Sequence, residues 1–177
     1  MSEREIRRLV TGHDNNGRSK FIMDGAATSV LEVEAMGGLR VTDLWETFDS
    51  PADNRGEKDN ADRDVHLEPG ARGSIFRIVE FPPDSVWKDS GDGAVAFAAI
   101  QASHAADASS DDPAMHKTDT VDYALVLDGE IWAVMDTEER LMKAGDALVQ
   151  RGTNHAWANK TEKNCRVMFV LSGAEPI

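Results

Sequence analysis

The sequence predicts a mainly β domain, in the form of a sandwich or barrel of short strands. Apolar residues recur with a period of two or in short continuous runs, and each run is bounded by Gly, Pro, Asp or Asn. The runs are FIMDG, LRVTDLWETF, GSIFRIVEFPP, YALVLDGEIWAVMD, DALVQRG and CRVMFVLSG. Many short strands separated by such turns are typical of sandwiches and barrels. The dipeptides Asp24-Gly25 and Asp128-Gly129 favour positive φ and predict tight hairpin turns, most clearly in VLDGEIW.

Two segments depart from the strand pattern. Residues 49–68 are polar and mostly acidic, which predicts a long surface loop that either covers a pocket or extends into solvent. Residues 94–106 are rich in alanine and predict one short helix. Because no repeat occurs and no linker separates two cores, we expect a single domain over residues 1–177.

Composition excludes several classes of function. Apolar residues make up 41% of the chain, enough for a core, and the net charge of −13 disfavours nucleic acids and anionic membranes as partners. The lone Cys165 excludes an internal disulfide and is expected to be a small core residue in a reducing compartment. No run of about 18 apolar residues occurs, and the N-terminal residues do not resemble a signal peptide. We therefore expect a cytoplasmic protein.

Polar residues stand where alternation would direct side chains inward. His116, Thr118 and Asp122 share parity along one predicted strand, and His155 shares parity with Trp157 further on. Two histidines and a carboxylate on neighbouring strands suit one divalent metal ion, either Fe(II) or, with less selectivity, Mn, Ni or Zn. The same groups can instead satisfy one another as a buried polar network without an ion.

The first cluster resembles the first of the two motifs of the cupin superfamily, G-x5-H-x-H-x3-E-x6-G. His116, Thr118, Asp122 and Gly129 occupy its second to fifth marked positions. Ser110 replaces the leading glycine, threonine replaces the second histidine, and aspartate replaces the glutamate.

The second cluster resembles the second cupin motif, G-x5-P-x-G-x2-H-x3-N. Gly145, Gly152, His155 and Asn159 match in order, although the proline is absent and the turn is one residue shorter. The two motifs together span about residues 110–160.

The resemblance implies a small single-domain cupin with a double-stranded β-helix, or jelly-roll, barrel. It also implies a metal site with His116 and His155 as ligands and Asp122 as a conservative third ligand. A homodimer is implied too, with N-terminal strands in about residues 4–48 contributing to the interface. Thr118 is a poor metal ligand, and its hydroxyl is expected to hold a water or the substrate.

Further residues have two possible roles each. Arg77 shares a face with Ile75 and Val79, and it either binds a substrate carboxylate or pairs with a glutamate across the sheet. Trp157 forms either an aromatic pocket wall or part of the core. Tyr123 has the opposite parity to Asp122 and should pack outside the barrel against another sheet or subunit. His104 is a candidate acid or base.

The predicted function is that of a metal-dependent cupin enzyme acting on a small carboxylate, enol or aromatic-type metabolite. Decarboxylases, dehydratases, isomerases and dioxygenases all fit this description, because each stabilises negative charge on a bound oxygen. The alternative is a binding cupin without catalysis, with a degenerate metal site and a pocket for a small molecule. A structural or storage cupin ranks last, because such proteins usually have a duplicated and longer chain.

Overall fold

The computed structural model describes residues 5–89 and 93–177, so residue 4 of the predicted N-terminal region lies outside the described residues. The described part of the chain forms eleven β-strands and one α-helix, which confirms the all-β prediction. The strands are β1 (Arg7–His13), β2 (Ser19–Ala26), β3 (Ser29–Val33), β4 (Leu39–Thr47), β5 (Ser74–Phe81), β6 (Thr120–Asp128), β7 (Glu130–Met135), β8 (Glu139–Lys143), β9 (Ala147–Arg151), β10 (His155–Ala158) and β11 (Cys165–Gly173). The helix α1 (Gly93–Ala99) lies between β5 and β6.

The strands form three antiparallel sheets. The largest sheet has the order β3-β4-β5-β11-β6-β9, and a smaller one has the order β10-β7-β8. A separate hairpin pairs β1 with β2. Non-sequential neighbours in the large sheet, such as β11 between β5 and β6, are consistent with the predicted jelly roll.

The core lies between the large and the small sheet. From Cys165 to Ser172 of β11, buried and partly buried residues alternate, so Val167, Phe169 and Leu171 point inward. Ile131 of β7 packs in the same cluster and has no exposed surface. Cys165 is fully buried, and burial raises the pKa of its thiol to about 12, in keeping with a core residue.

One of the two predicted hairpin turns is confirmed. Gly129 has φ of +82° and joins β6 to β7. A Cβ at this position would lie 3.0 Å from the Asn164 oxygen and from the Cys165 Cα, so a side chain would be strained there.

The prediction for Asp24-Gly25 is wrong, because both residues lie inside β2. The hairpin turn between β1 and β2 lies instead at residues 14–18, where Gly17 has φ of +76°. The Asp14 carboxylate accepts hydrogen bonds from the backbone amides of Asn16 and Arg18, each at 2.9 Å, and so stabilises the turn. Asp24 forms an ion pair with Arg7 across the hairpin.

The predictions for the loop at residues 49–68 and for the alanine-rich segment are confirmed in part. The predicted helix exists but is shorter than residues 94–106, since it ends at Ala99. The first half of the loop is mainly exposed, whereas Ala61 and Val65 are buried against the barrel. The Leu67 amide donates a hydrogen bond to the Ile100 carbonyl at 3.0 Å, which joins the end of the loop to the segment after α1.

The outer face of the large sheet carries exposed apolar residues. Tyr123 points away from the barrel, as its parity predicts, and is 53% exposed. It pairs in register with Val149 of β9, which is also exposed. The predicted homodimer stays a prediction. No helix in the described part of the chain is both long and apolar enough to cross a membrane.

Candidate functional site

A pocket of about 110 Å³ lies between the large and the small sheet. Its wall is mainly apolar, and its aromatic members are Phe81, Phe97, Trp157 and Phe169. Four polar side chains also line it, namely Arg77, His116, Asp122 and His155. A largely apolar pocket with a few polar groups is the common form of a small-molecule site.

His116 and His155 lie side by side because their backbones form an isolated antiparallel bridge. Each backbone amide donates to the carbonyl of the other at 2.9 Å, so the His116 segment adds to the edge of the small sheet beside β10. The centroids of the two imidazole rings are 4.2 Å apart. The sequence predicted this pair, and the bridge supplies the physical reason for it.

Hydrogen bonding leaves one nitrogen bare on each of these rings. Nδ1 of His116 is 2.9 Å from the Ala114 carbonyl oxygen, and Nδ1 of His155 is 3.0 Å from that of Thr153. Because a carbonyl oxygen only accepts, each Nδ1 carries the proton and each Nε2 keeps its lone pair. Burial lowers the pKa of both imidazoles, that of His155 to about 3, so both are neutral near pH 7.

Asp122 of β6 carries an unsatisfied acceptor. Its side chain is buried, and its Oδ1 atom has no hydrogen-bond partner in the described part of the chain. Burial raises the pKa of Asp122 to about 6, although a hydrogen bond from Thr120 and the charge of Arg77 oppose the shift. His116, Asp122 and His155 are called the pocket cluster below.

Arg77 lines the pocket but is bound on its other side. It pairs in register with Asp43 of β4, with Nε 2.9 Å from Oδ1 and Nη2 3.2 Å from Oδ2. It also donates to the carbonyl oxygens of Leu67 at 2.9 Å and His66 at 2.6 Å. Of the two roles predicted for Arg77, the structure supports pairing across the sheet, with an aspartate rather than a glutamate as partner.

Asp43 and Arg77 belong to a larger set of buried ionic side chains, called the paired network below. Arg63 bonds both Asp43, at 2.8 Å, and Glu46. Glu46 also contacts His66, with 3.3 Å between its Oε1 and the histidine Nε2. Two arginines thus balance two carboxylates, and the end of the 49–68 loop is tied to the barrel.

The remaining predicted site residues have separate positions. Trp157 both lines the pocket and packs in the core, where its ring centroid lies 5.3 Å from that of Phe169. Thr118 is buried but is absent from the pocket wall, and its hydroxyl is 2.8 Å from that of Thr120. Substrate binding by Thr118 and Trp157 stays a prediction.

Sequence reasoning missed the residues that close the pocket. Leu67, Phe97 and Ile100 come from the loop and the helix segment, and the Phe97 ring centroid lies 5.2 Å from that of His116. Glu68 accepts a hydrogen bond from His104 at 2.7 Å, and the His104 side chain is 63% exposed. The one available signal was the presence of large apolar residues in segments that are otherwise polar, around Leu67, or rich in alanine, around Phe97 and Ile100.

The donor atoms of the pocket cluster are of the types that bind divalent metal ions. Two unprotonated imidazole nitrogens and one unpartnered carboxylate oxygen are the donors that Fe, Mn, Ni and Zn use. Two of the three donors are adjacent. Across residues 5–89 and 93–177, however, no three His, Cys, Asp or Glu side chains lie close enough together to hold an ion. Metal binding by His116, Asp122 and His155 therefore stays a prediction.

Comparisons with known proteins agree with this architecture. Residues 92–171 match the family model Cupin_2, the cupin domain. The chain is 33% identical to phomopsin biosynthesis cluster protein C' of Diaporthe leptostromiformis over 178 residues, which cover 96% of this chain and 79% of that protein. It is 27% identical to the cupin-domain-containing oxidoreductase fogC of Aspergillus ruber over 176 residues, or 93% and 70% of the two chains.

A solved structure shares the fold. The cupin domain of Cnp3 from Schizosaccharomyces pombe superposes with a TM-score of 0.50 and 11% sequence identity. The superposition covers 94% of this chain and 87% of that one.

Proposed function

The chain belongs to the cupin family, and from this premise we propose that it acts in small-molecule metabolism as an enzyme whose substrate binds in the barrel pocket. The observation that carries the proposal is the pocket cluster. His116, Asp122 and His155 line a largely apolar cavity, and each keeps one hydrogen-bonding atom without a partner among the described residues. Such unsatisfied groups cost stability, and functional sites are where proteins retain them.

The names of the relatives support a metabolic role. One relative is named as a biosynthesis cluster protein and another as a cupin-domain-containing oxidoreductase. Those names describe those proteins and leave the reaction of this chain open among decarboxylation, dehydration, isomerisation and oxygenation.

The residues of the chain can bind, orient and exchange protons with a substrate. The bare Nε2 atoms of His116 and His155 accept hydrogen bonds from a substrate hydroxyl. Asp122, with a pKa of about 6, can both hold and release a proton near neutral pH, as a general acid or base must. Trp157 and Phe97 hold the apolar part of the substrate and exclude water.

In the metal-dependent form of this proposal, the pocket cluster holds one divalent ion. When bound, the ion would supply Lewis acidity that stabilises negative charge on a substrate oxygen. The alternative is a binding cupin without catalysis. The absence of a complete three-residue ligand group in the described residues favours that alternative.

The first test is the metal content of tag-free purified protein, measured by elemental mass spectrometry. The metal-dependent form predicts about one equivalent of Fe, Mn, Ni or Zn per chain and its loss in His155→Ala, because that variant removes one of two adjacent imidazoles. His13→Ala is the matched control, since His13 is exposed at the end of β1 and should leave the metal content unchanged. Circular dichroism establishes that both variants fold.

A wild-type protein that holds no ion, even after reconstitution with each metal, would exclude the metal-dependent form. The pocket would then be examined as a metal-free binding site.

A further inference from the structure

Three of the polar side chains that line the pocket offer hydrogen-bond acceptors to a ligand. His116 and His155 each use Nδ1 as a donor to the backbone and present a bare Nε2. Asp122 adds an unpartnered Oδ1. Because an imidazole nitrogen without a proton and an ionised carboxylate oxygen only accept hydrogen bonds, a molecule bound at these atoms must supply the hydrogen.

The pocket offers no free positive charge to an anion. Among the described residues, Arg77 is the one permanently charged cation that lines it. Its guanidinium is bound to Asp43 and to two backbone carbonyls, and the two arginines of the paired network are balanced by two carboxylates. A carboxylate ligand would have no counterion and would lie near Asp122, which is repulsive in a buried site.

The size and lining of the cavity suit one aromatic ring. Its volume is about 110 Å³, below the volume of about 150 Å³ of an apolar protein cavity that holds benzene, so the cavity limits the apolar part of a ligand to one small ring. Edge-to-face partners are in place, since Trp157 and Phe169 already pack in this way, with an interplanar angle of 76°.

We propose that the ligand of this pocket is a neutral molecule with one aromatic ring and a hydroxyl donor, as in a phenol. This inference rests on the proposed function and narrows its substrate class, since the sequence left carboxylate, enol and aromatic metabolites open. The ring lies among the aromatic side chains, and the hydroxyl donates to a bare Nε2 or to Asp122 Oδ1.

Three probes of similar size test the proposal by isothermal titration calorimetry. Phenol has the donor, anisole has the same ring and oxygen without the donor, and benzoate has a carboxylate. With chelator-treated protein at pH 7.5, we expect phenol to bind at least tenfold more tightly than either anisole or benzoate. The titrations are repeated after loading with Zn, because a divalent cation would also satisfy the acceptors.

A pair of variants locates the interaction. His155→Leu removes one acceptor and should lower the affinity for phenol at least fivefold with little change for anisole. Tyr123→Phe, on the outer face of the large sheet, should change neither affinity.

The outcomes separate the two proposals. Benzoate binding more tightly than phenol, or anisole binding as tightly, would overturn the substrate class and leave the pocket as a small-molecule site. If none of the three probes binds to chelated or zinc-loaded protein, the phenol class is overturned, and the metal content of wild-type protein and of His155→Ala then tests the metal-dependent form of the proposed function separately.

Discussion

Two buried polar clusters lie in the same barrel and differ in how their charges are satisfied. In the paired network, Asp43 accepts hydrogen bonds from both Arg77 and Arg63. Among the described residues, Arg63 Nη2 is the one side-chain atom of this network that is buried without a hydrogen-bond partner. In the pocket cluster, Asp122 Oδ1 and the two Nε2 atoms have no protein partner in the described part of the chain. Both clusters are reached by inward-facing residues of the large sheet, so burial alone does not distinguish them.

The difference separates a structural role from a functional one. A charge paired inside the barrel contributes to holding the 49–68 loop and the sheet together, although its net effect on stability is small. An unpaired acceptor inside the barrel costs free energy in the absence of a ligand. The pocket cluster is therefore the part of the molecule that a ligand or ion would stabilise.

The same substitution should lower stability in one cluster and not in the other, and this is the largest contrast we expect. Asp43→Asn leaves Arg77 as a buried charge without its counterion, which should lower the free energy of unfolding by about 3–5 kcal/mol. Asp122→Asn removes a charge that has no hydrogen-bond partner at Oδ1 and should not lower stability at pH 7.5. Urea denaturation of the three proteins measures both effects.

A double variant tests whether the loss of stability in Asp43→Asn comes from the unpaired charge of Arg77. Asp43→Asn combined with Arg77→Met removes both charges and should recover part of the lost stability. Equal losses for Asp43→Asn and Asp122→Asn would show that the two clusters are equivalent and would refute the comparison.

Much of the fold follows from local pattern. The run CRVMFVLSG predicts a strand because it is short and mainly apolar, begins after Asn164 and ends at Gly173, and it coincides with β11. The prediction of a hairpin turn at Asp24-Gly25 is wrong because this dipeptide can also adopt the extended conformation of a strand when a residue on the paired strand satisfies the aspartate. There, Arg7 neutralises Asp24, and the Asp14 side chain stabilises the turn at Gly17 instead.

The pH dependence of stability sharpens the contrast further. The pKa of Asp122 is raised from 3.8 to about 6, so its contribution is fully present below pH 3.8 and is lost as pH rises through 6. Relative to Asp122→Asn, wild-type protein should therefore lose up to about 3 kcal/mol between pH 4 and pH 7.5. Denaturation of both proteins after chelator treatment, at half-unit steps of pH, measures the difference.

A pH-independent difference would mean that Asp122 keeps an ordinary pKa. In that case a partner satisfies its carboxylate, and the acceptor argument for the pocket would fail.

Side-chain parity accounts for Asp122, whereas His116 was predicted by its place in the motif. Asp122 points inward as its place in β6 requires, whereas His116 and Thr118 precede that strand and are positioned by other contacts. Pairing of Arg77 across the sheet was predicted, but its partners in the paired network were not, because the pairing of β4 with β5 shifts register between Asp43 and Trp45. This β-bulge allows Glu46 to be buried as well as Asp43, which strict alternation forbids.

Thr120 offers the smallest and most local test of the pocket cluster. Its side chain hydrogen-bonds Asp122 and lies 2.8 Å from the Thr118 hydroxyl. Because this bond favours the ionised carboxylate, Thr120→Val should raise the pKa of Asp122 further and lower stability by about 1 kcal/mol.

Thr118→Val is the control, since it keeps the Thr120 hydroxyl and should leave the titration of Asp122 nearly unchanged. Carbon-13 NMR titration of the aspartate carboxyls distinguishes the two variants. An equal shift in both would mean that Thr118, the residue in place of the second motif histidine, also acts on the carboxylate and belongs to the pocket cluster.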